Sequence, residues 1–251
     1  MERIALVTGS TAGIGLAVAQ DFAKSGMKTV LNGRRASKLA EVTKNLGADS
    51  CISVEGDCAD SGVIERFFTE SLAKFGAEPD LIVVNAGRGL VGSIMTADLT
   101  QLDELLRTNI IGAMKLIRRS GESMQKRSAG DAIFSRPLDI VILGSTVGRH
   151  ISPFSSVYGS TKFAINALAE GARRELGAKG IRVSLIEPGI VLTEFQESAG
   201  YDTALVDNFH QKFGPLLRPD DIARTVSFIV SQPAHVHLND VVIRPTRQDY
   251  P

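Results

Sequence analysis

Seven short apolar runs punctuate the chain, at 4–7, 29–31, 51–54, 81–84, 140–143, 183–186 and 241–243. They are rich in Val and Ile and bounded by Gly, Pro, Asn or Asp. A strand covered by helices on both faces reads as such a run rather than as an alternation. Between the runs, helical spacing falls at about 14–25, 37–46, 61–75, 99–124, 156–178 and 220–231, with Asp220 after Pro219 marking a helix start. The alternation predicts one α/β domain over 1–251, a doubly wound, mostly parallel sheet flanked by helices. No linker, repeat or low-complexity tract divides it. Two stretches break the rhythm. Residues 126–138 are expected as a loop. Residues 193–218 are expected to be irregular, with Phe195, Tyr201, Phe209, His210 and Phe213, and loops of that length often form lids or binding segments.

The first strand leads into Thr8-Gly9-Ser10-Thr11-Ala12-Gly13-Ile14-Gly15 at the start of a helix. Glycines in this place let the backbone approach a diphosphate, and the helix amino end offers free N–H groups and positive dipole to the anion. In this strand–helix setting the turn points to a Rossmann-type fold and a bound dinucleotide, although its G-x-x-x-G-x-G spacing is not the G-x-G-x-x-G of many dinucleotide enzymes and it also reads as a purely structural turn. After the second strand, the position where an acid would hold the ribose 2′-hydroxyl of NAD carries Asn32-Gly33-Arg34-Arg35 instead. A guanidinium can hold phosphate bidentately, so Arg34 with Arg35 favours NADP(H). The same pair also reads as solvated charges at a helix start, although cations there oppose the helix dipole. Asp57 follows the third strand, where it could accept the adenine amino group, while Asp60 reads as a helix cap. The small residues of Asn85-Ala86-Gly87 would let the cofactor ribose lie against the backbone.

Charge and cysteine content narrow the setting. Lys plus Arg number 28 and Asp plus Glu number 28, a zero net charge that speaks against nucleic acid or an anionic membrane as partner. The two cysteines exclude a disulfide scaffold and a cysteine-based zinc site, and no histidine spacing suggests a metal. The apolar run at the amino end is too short for a signal peptide, and no run approaches the ~20 residues of a membrane span. A soluble, cytoplasmic protein is expected.

Tyr158-Gly159-Ser160-Thr161-Lys162 sits near the start of a long helix. Residues at i and i+4 share a face, so the lysine ammonium can favour the phenolate and lower a tyrosine pKa that is ordinarily about 10. Ser145, at the carboxyl end of the fifth strand, can reach the same substrate oxygen. Each residue alone also reads blandly, as a surface pair or a strand-end cap. Their conjunction with a dinucleotide turn points to acid–base chemistry.

The motifs Thr8-Gly9-x3-Gly13-Ile14-Gly15, Asn85-Ala86-Gly87, Thr108-Asn109, Ser145, Tyr158-x3-Lys162 and Pro188-Gly189-x3-Thr193 stand in the order and spacing of a known family. On them the chain resembles the short-chain dehydrogenase/reductases over nearly its whole length. The resemblance implies that Gly9, Thr11, Gly13, Ile14, Gly15, Arg34, Arg35, Asp57, Asn85, Ala86, Gly87, Lys162, Pro188, Ile190 and Thr193 contact the cofactor. It implies Tyr158 as acid and base, Lys162 on the nicotinamide ribose, Ser145 on the substrate oxygen, and Asn109 at a helix kink with a proton-relay water. Val84 departs from the family, many of whose members have a second asparagine there. The segments Gln232-Pro233-Ala234-His235-Val236 and Arg244-Pro245-Thr246-Arg247-Gln248 are similar to the NADP-dependent 3-hydroxy acid and serine/allo-threonine dehydrogenases. That likeness implies a small hydroxy acid or hydroxy amino acid substrate, for whose carboxylate Arg88 and Arg149 are candidates. A neutral or sulfonated aldehyde, ketone or diol is the alternative substrate, and a non-catalytic NADP(H) sensor the alternative function. A homo-oligomer, dimer or tetramer, is implied as well.

Overall fold

The structure, a computed structural model, describes residues 2–128 and 134–249. Seven strands form one parallel sheet: β1 Ile4–Val7, β2 Lys28–Gly33, β3 Cys51–Glu55, β4 Leu81–Val84, β5 Leu138–Leu143, β6 Ile181–Pro188 and β7 Asp240–Ile243. Their order is β3-β2-β1-β4-β5-β6-β7. Leu6 pairs with Val30 on one side and Ile82 on the other, which sets the central register. The order reverses between β1 and β4, where such sheets open a crevice at their carboxyl edge.

Successive strand side chains point to opposite faces, so each run feeds two cores. Ile4, Leu6, Val30, Ile82 and Ile140 pack with Phe67 and Phe68 of α3 (Ser61–Phe75), Leu116 of α5 (Ala113–Arg127) and Ile165 of α6 (Ser156–Gly177). Val7, Leu31, Val83 and Val141 pack with Phe22 of α1 (Gly13–Lys24), Leu39 of α2 (Ala36–Leu46) and Ile222 of α9 (Pro219–Val230). α9 starts one residue before the expected Asp220. The Asp221 carboxylate accepts the Arg218 N–H at 2.7 Å and caps it.

Two expectations are corrected. The helical pattern at 99–124 is not one helix. A 3₁₀ turn, Leu99–Gln101, leads into α4 (Leu102–Leu106), a π-turn at Arg107–Gly112, and α5. The stretch 193–218 is not irregular, for it contains α7 (Phe195–Ser198) and α8 (Thr203–Phe213). Asp202 starts α8 by accepting the Leu205 N–H at 2.7 Å, and Leu205, Phe209 and Phe213 form its apolar stripe. In the expected loop at 126–138, α5 runs on to Arg127 and β5 begins at Leu138, while 129–133 lie outside the described residues.

At the amino edge of the sheet a buried charge cluster ties four strands together. Arg182 of β6 donates to both Asp139 carboxylate oxygens, at 2.7 and 3.0 Å. Arg3 bridges Asp139 at 2.7 Å and Asp80 at 3.1 Å. Arg182 also donates to the carbonyls of Val230, Gln232, Pro233 and Val236 and so holds the exit of α9. Among the described residues, no helix is long and apolar enough to cross a membrane.

Candidate active site

The carboxyl edge holds a cleft of about 990 Å³. Every cofactor residue predicted from the sequence except Gly15 lines it, with Ser145, Tyr158, Lys162 and Arg88. Gly15 lies just behind the wall. Gly9 and Gly13 have φ of 65° and 54°, a backbone region that side chains disfavour. A Cβ on Gly15 would stand 2.4 Å from the Gly9 carbonyl oxygen and 2.4 Å from Asn85 Nδ2. Asn85 Nδ2 donates to the Thr8 carbonyl at 2.8 Å, which stitches the end of β4 to the turn.

The cradle fits an anion. Ala12 stands at the N-cap of α1 with no side-chain cap, and the first turn carries no acid. By contrast, Asp60 and Asp202 cap α3 and α8 with their own carboxylates. The amino end of α1 thus keeps its donors and its dipole for an external group such as a diphosphate.

Beyond the turn, Arg34 donates to Glu104 at 2.9 Å, and Arg35 donates to Thr11 Oγ1 at 3.3 Å. Asp57 accepts the Ala59 N–H at 2.9 Å and pairs with Arg107 at 2.7 Å. Burial would raise its pKa, but the Ala59 N–H and the Arg107 guanidinium outweigh that and hold it below the usual range.

Tyr158 and Lys162 share the inner face of α6, and both are buried. Lys162 Nζ lies 5.9 Å from the Tyr158 ring centroid and donates to the Leu143 carbonyl at 2.9 Å. Burial pushes the Lys162 ammonium down to about 8. Burial pushes the Tyr158 phenol above its ordinary value, nearby Tyr201 adds to this, and a hydrogen bond with Ser145 works against it. At neutral pH the phenol keeps its proton. Asn109 occupies the π-turn, where its Nδ2 donates to the Arg88 carbonyl at 2.9 Å and to Thr161 Oγ1 at 3.1 Å. Thr161 Oγ1 in turn donates to the Tyr158 carbonyl at 2.7 Å.

The turn after β6 brings Pro188, Ile190 and Thr193 to the same cleft. The Ile190 N–H is engaged by Gln248 Oε1 at 2.9 Å, and Thr193 Oγ1 accepts the Phe195 N–H at 3.0 Å.

The two candidate substrate cations fare differently from expectation. Arg149 does not line the cleft, because its guanidinium is drawn to buried Glu187 and to Asp240 of β7. Arg88 does line it, but pairs with Glu104 and donates to Gln101 Oε1 at 2.6 Å.

A family model described as short chain dehydrogenase matches residues 3–204. The chain belongs to the short-chain dehydrogenase family. It is thus an oxidoreductase. It is 30% identical over 247 residues to an uncharacterized oxidoreductase of Staphylococcus saprophyticus, with 97% of each chain covered. It is 29% identical over 244 residues to another from Staphylococcus aureus strain MW2, again with 97% of each covered. Among solved structures it is similar to a closed form of serine dehydrogenase complexed with NADP+. The TM-score is 0.88 at 30% identity, over 98% of this chain and 96% of that one. It is also similar to serine dehydrogenase from Escherichia coli, with TM-score 0.81 at 28% identity, over 98% and 100% of the two chains.

Within this short-chain dehydrogenase, the phenylalanines and the tyrosine of the stretch 193–218, expected as a lid or binding segment, line the same cleft, and Phe154, Val91 and Lys212 join them there. Phe195 packs on Tyr158 with ring centroids 5.7 Å apart, and Tyr201 stands edge-on to Phe209 at 6.2 Å. Phe154, Val91 and Phe213 continue the apolar wall, and Lys212 of α8 is a cation on it. The four-residue spacing of Leu205, Phe209 and Phe213 was the available signal for this wall.

Proposed function

We propose that the chain is an NADP(H)-dependent oxidoreductase that interconverts a small hydroxy acid, or hydroxy amino acid, and its carbonyl partner. The observation that carries the reading is the convergence of Ser145, Tyr158 and Lys162 beside the uncapped glycine cradle, in one cleft.

Gly9, Gly13, Ile14 and Gly15 would hold the diphosphate against the amino end of α1, and Arg34 and Arg35 the 2′-phosphate. Asp57 would face the adenine. Asn85, Ala86 and Gly87 would bed the ribose, and Pro188, Ile190 and Thr193 would orient the nicotinamide. Bound NADPH supplies the hydride. Tyr158, protonated at neutral pH, gives its proton to the substrate oxygen during reduction and takes it back during oxidation. Ser145 donates to the same oxygen and holds it in line. Lys162 would hold ribose hydroxyls, and its charge favours the phenolate at the moment the proton leaves. Asn109 and Thr161 fix the α6 backbone from which Tyr158 projects.

A hydroxy acid needs a cation at the substrate end. With Arg149 out of the cleft and Arg88 held by Glu104, Lys212 takes that part. The structural likeness to serine dehydrogenase supports the acid. The second reading, a neutral or sulfonated aldehyde, ketone or diol, is supported by the aromatic wall of Phe154, Phe195, Tyr201, Phe209 and Phe213.

We also place the protein in the cytoplasm, as a homo-oligomer. Exposed Ile111, Met114 and Phe163 on the α5 and α6 side, with Phe228 on α9, support association.

The deciding experiment follows NADPH and NADH oxidation with 3-oxo acids, semialdehydes, diketones and sulfoacetaldehyde, and the reverse reaction with L-serine, L-allo-threonine and 3-hydroxypropionate. NADPH turnover on the acids is expected. Turnover on neutral carbonyls alone would select the second reading. Tight NADPH binding with no turnover on any compound would remove the enzyme reading.

A further inference from the structure

The amino end of α2 gathers positive charge without an acid of its own. Arg34, Arg35 and Lys38 all lie there, the first turn carries no carboxylate, and the Arg35 side chain does not cap the helix. The helix dipole adds to the same sign. Two carboxylates reach in from distant parts of the chain. Glu104 accepts from Arg34 at 2.9 Å. Glu194, in the turn between β6 and α7, accepts from Arg35 at 3.4 Å with Oε2 and from Lys38 at 3.3 Å with Oε1. Lys38 foremost holds the Glu194 carboxyl below its usual range, so it is fully charged at neutral pH.

We infer that Glu194 is an exchangeable carboxylate: it fills the Arg35–Lys38 site until a cofactor 2′-phosphate takes its place, and so tunes the preference for phosphorylated over unphosphorylated cofactor. The inference rests on the NADP(H) reading above. A phosphate with nearly two charges makes stronger bonds to a guanidinium than one carboxylate does. Glu194 is 56% exposed and its contacts are long, so it gives way readily. NADH brings no phosphate to the site and leaves the Glu194 pairs intact. Removal of the carboxylate therefore benefits NADPH selectively.

The test is calorimetric titration of NADPH and NADH into the full-length wild type and into Glu194→Gln and Glu194→Lys. The ratio of NADPH to NADH affinity is expected to rise roughly two- to five-fold in Glu194→Gln, the reach of an exposed ion pair, and further in Glu194→Lys. Equal loss of both cofactors would make Glu194 a structural strap and overturn the inference. An unchanged ratio in a wild type that prefers NADPH would overturn it alone. A wild type that prefers NADH would overturn the cofactor reading itself, and the inference with it.

Discussion

Asn109 and Arg88 hold each other by a reciprocal pair of hydrogen bonds. The Arg88 N–H donates to Asn109 Oδ1 at 2.9 Å, and Asn109 Nδ2 donates back to the Arg88 carbonyl at 2.9 Å. The side chain thereby ties the π-turn to the strand-end segment that would bed the ribose. Asn109→Ala leaves these backbone groups without partners in a buried place. It should cost about 2–3 kcal/mol of stability in a urea titration and lower kcat. A loss below about 0.5 kcal/mol would show that water replaces the amide.

Tyr158→Phe removes the hydroxyl proposed as the proton donor and leaves the ring packed on Phe195. Turnover should fall by about 10²–10⁴ while the NADPH dissociation constant moves less than about two-fold. Steady-state rates and a cofactor titration check the two halves separately.

Lys162 titrates near 8 in the folded chain against 10.5 as a free side chain. Between those values the unfolded chain holds a proton that the folded chain has released, so stability rises with pH through that window. Below about 8 the full cost of the buried charge is present. Lys162→Met should therefore be more stable than the wild type at pH 7, by on the order of 2 kcal/mol, and nearly inactive. The stability gap should close as pH approaches about 10.5, as read from denaturation midpoints across the pH series. A gap that widened with pH would contradict the assignment.

Arg35→Ala removes a guanidinium from the proposed 2′-phosphate site. NADPH should bind about 10- to 100-fold more weakly, with NADH changed less than about three-fold. Parallel loss of both would mean that Arg35 supports the fold of the glycine turn through Thr11 and not the phosphate.

Gly15→Ala drives a Cβ onto the Gly9 carbonyl and Asn85. Overpacking of this kind costs about 1–3 kcal/mol, and here it also displaces the diphosphate cradle. Cofactor affinity should fall more steeply than the melting temperature. A variant that binds normally would show that the turn relaxes without loss of shape.

The seven strands were legible because a doubly covered strand writes itself as a local Val/Ile run, and Tyr158 with Lys162 because a helix repeats locally. Arg149 was misread for the opposite reason. Its partners, Glu187 and Asp240, arrive from β6 and β7, and no local pattern announces a pairing over 91 residues. The π-turn was equally silent in periodicity, since its residues keep helical dihedrals on both sides. Only the family resemblance implied a kink at Asn109. α8 could have been read. Its Leu205, Phe209 and Phe213 stripe and its Asp202 cap are both local, but the helix buries no residue fully.

The charge cluster at the opposite edge of the sheet has a bearing on assembly of the chain. Asp139 and Arg182 stand opposite each other in the β5–β6 ladder, whose other rungs are nearly all apolar and nearly interchangeable. A slip of one residue would put Asp139 into the hydrocarbon of one core and strand the Arg182 guanidinium away from the four carbonyls it serves. Aliphatic rungs tolerate misalignment; a buried ion pair with several fixed acceptors does not. The cluster thus proofreads strand alignment at the edge remote from the chemistry, and the loops of the catalytic edge can diverge in sequence without loosening the frame that carries them.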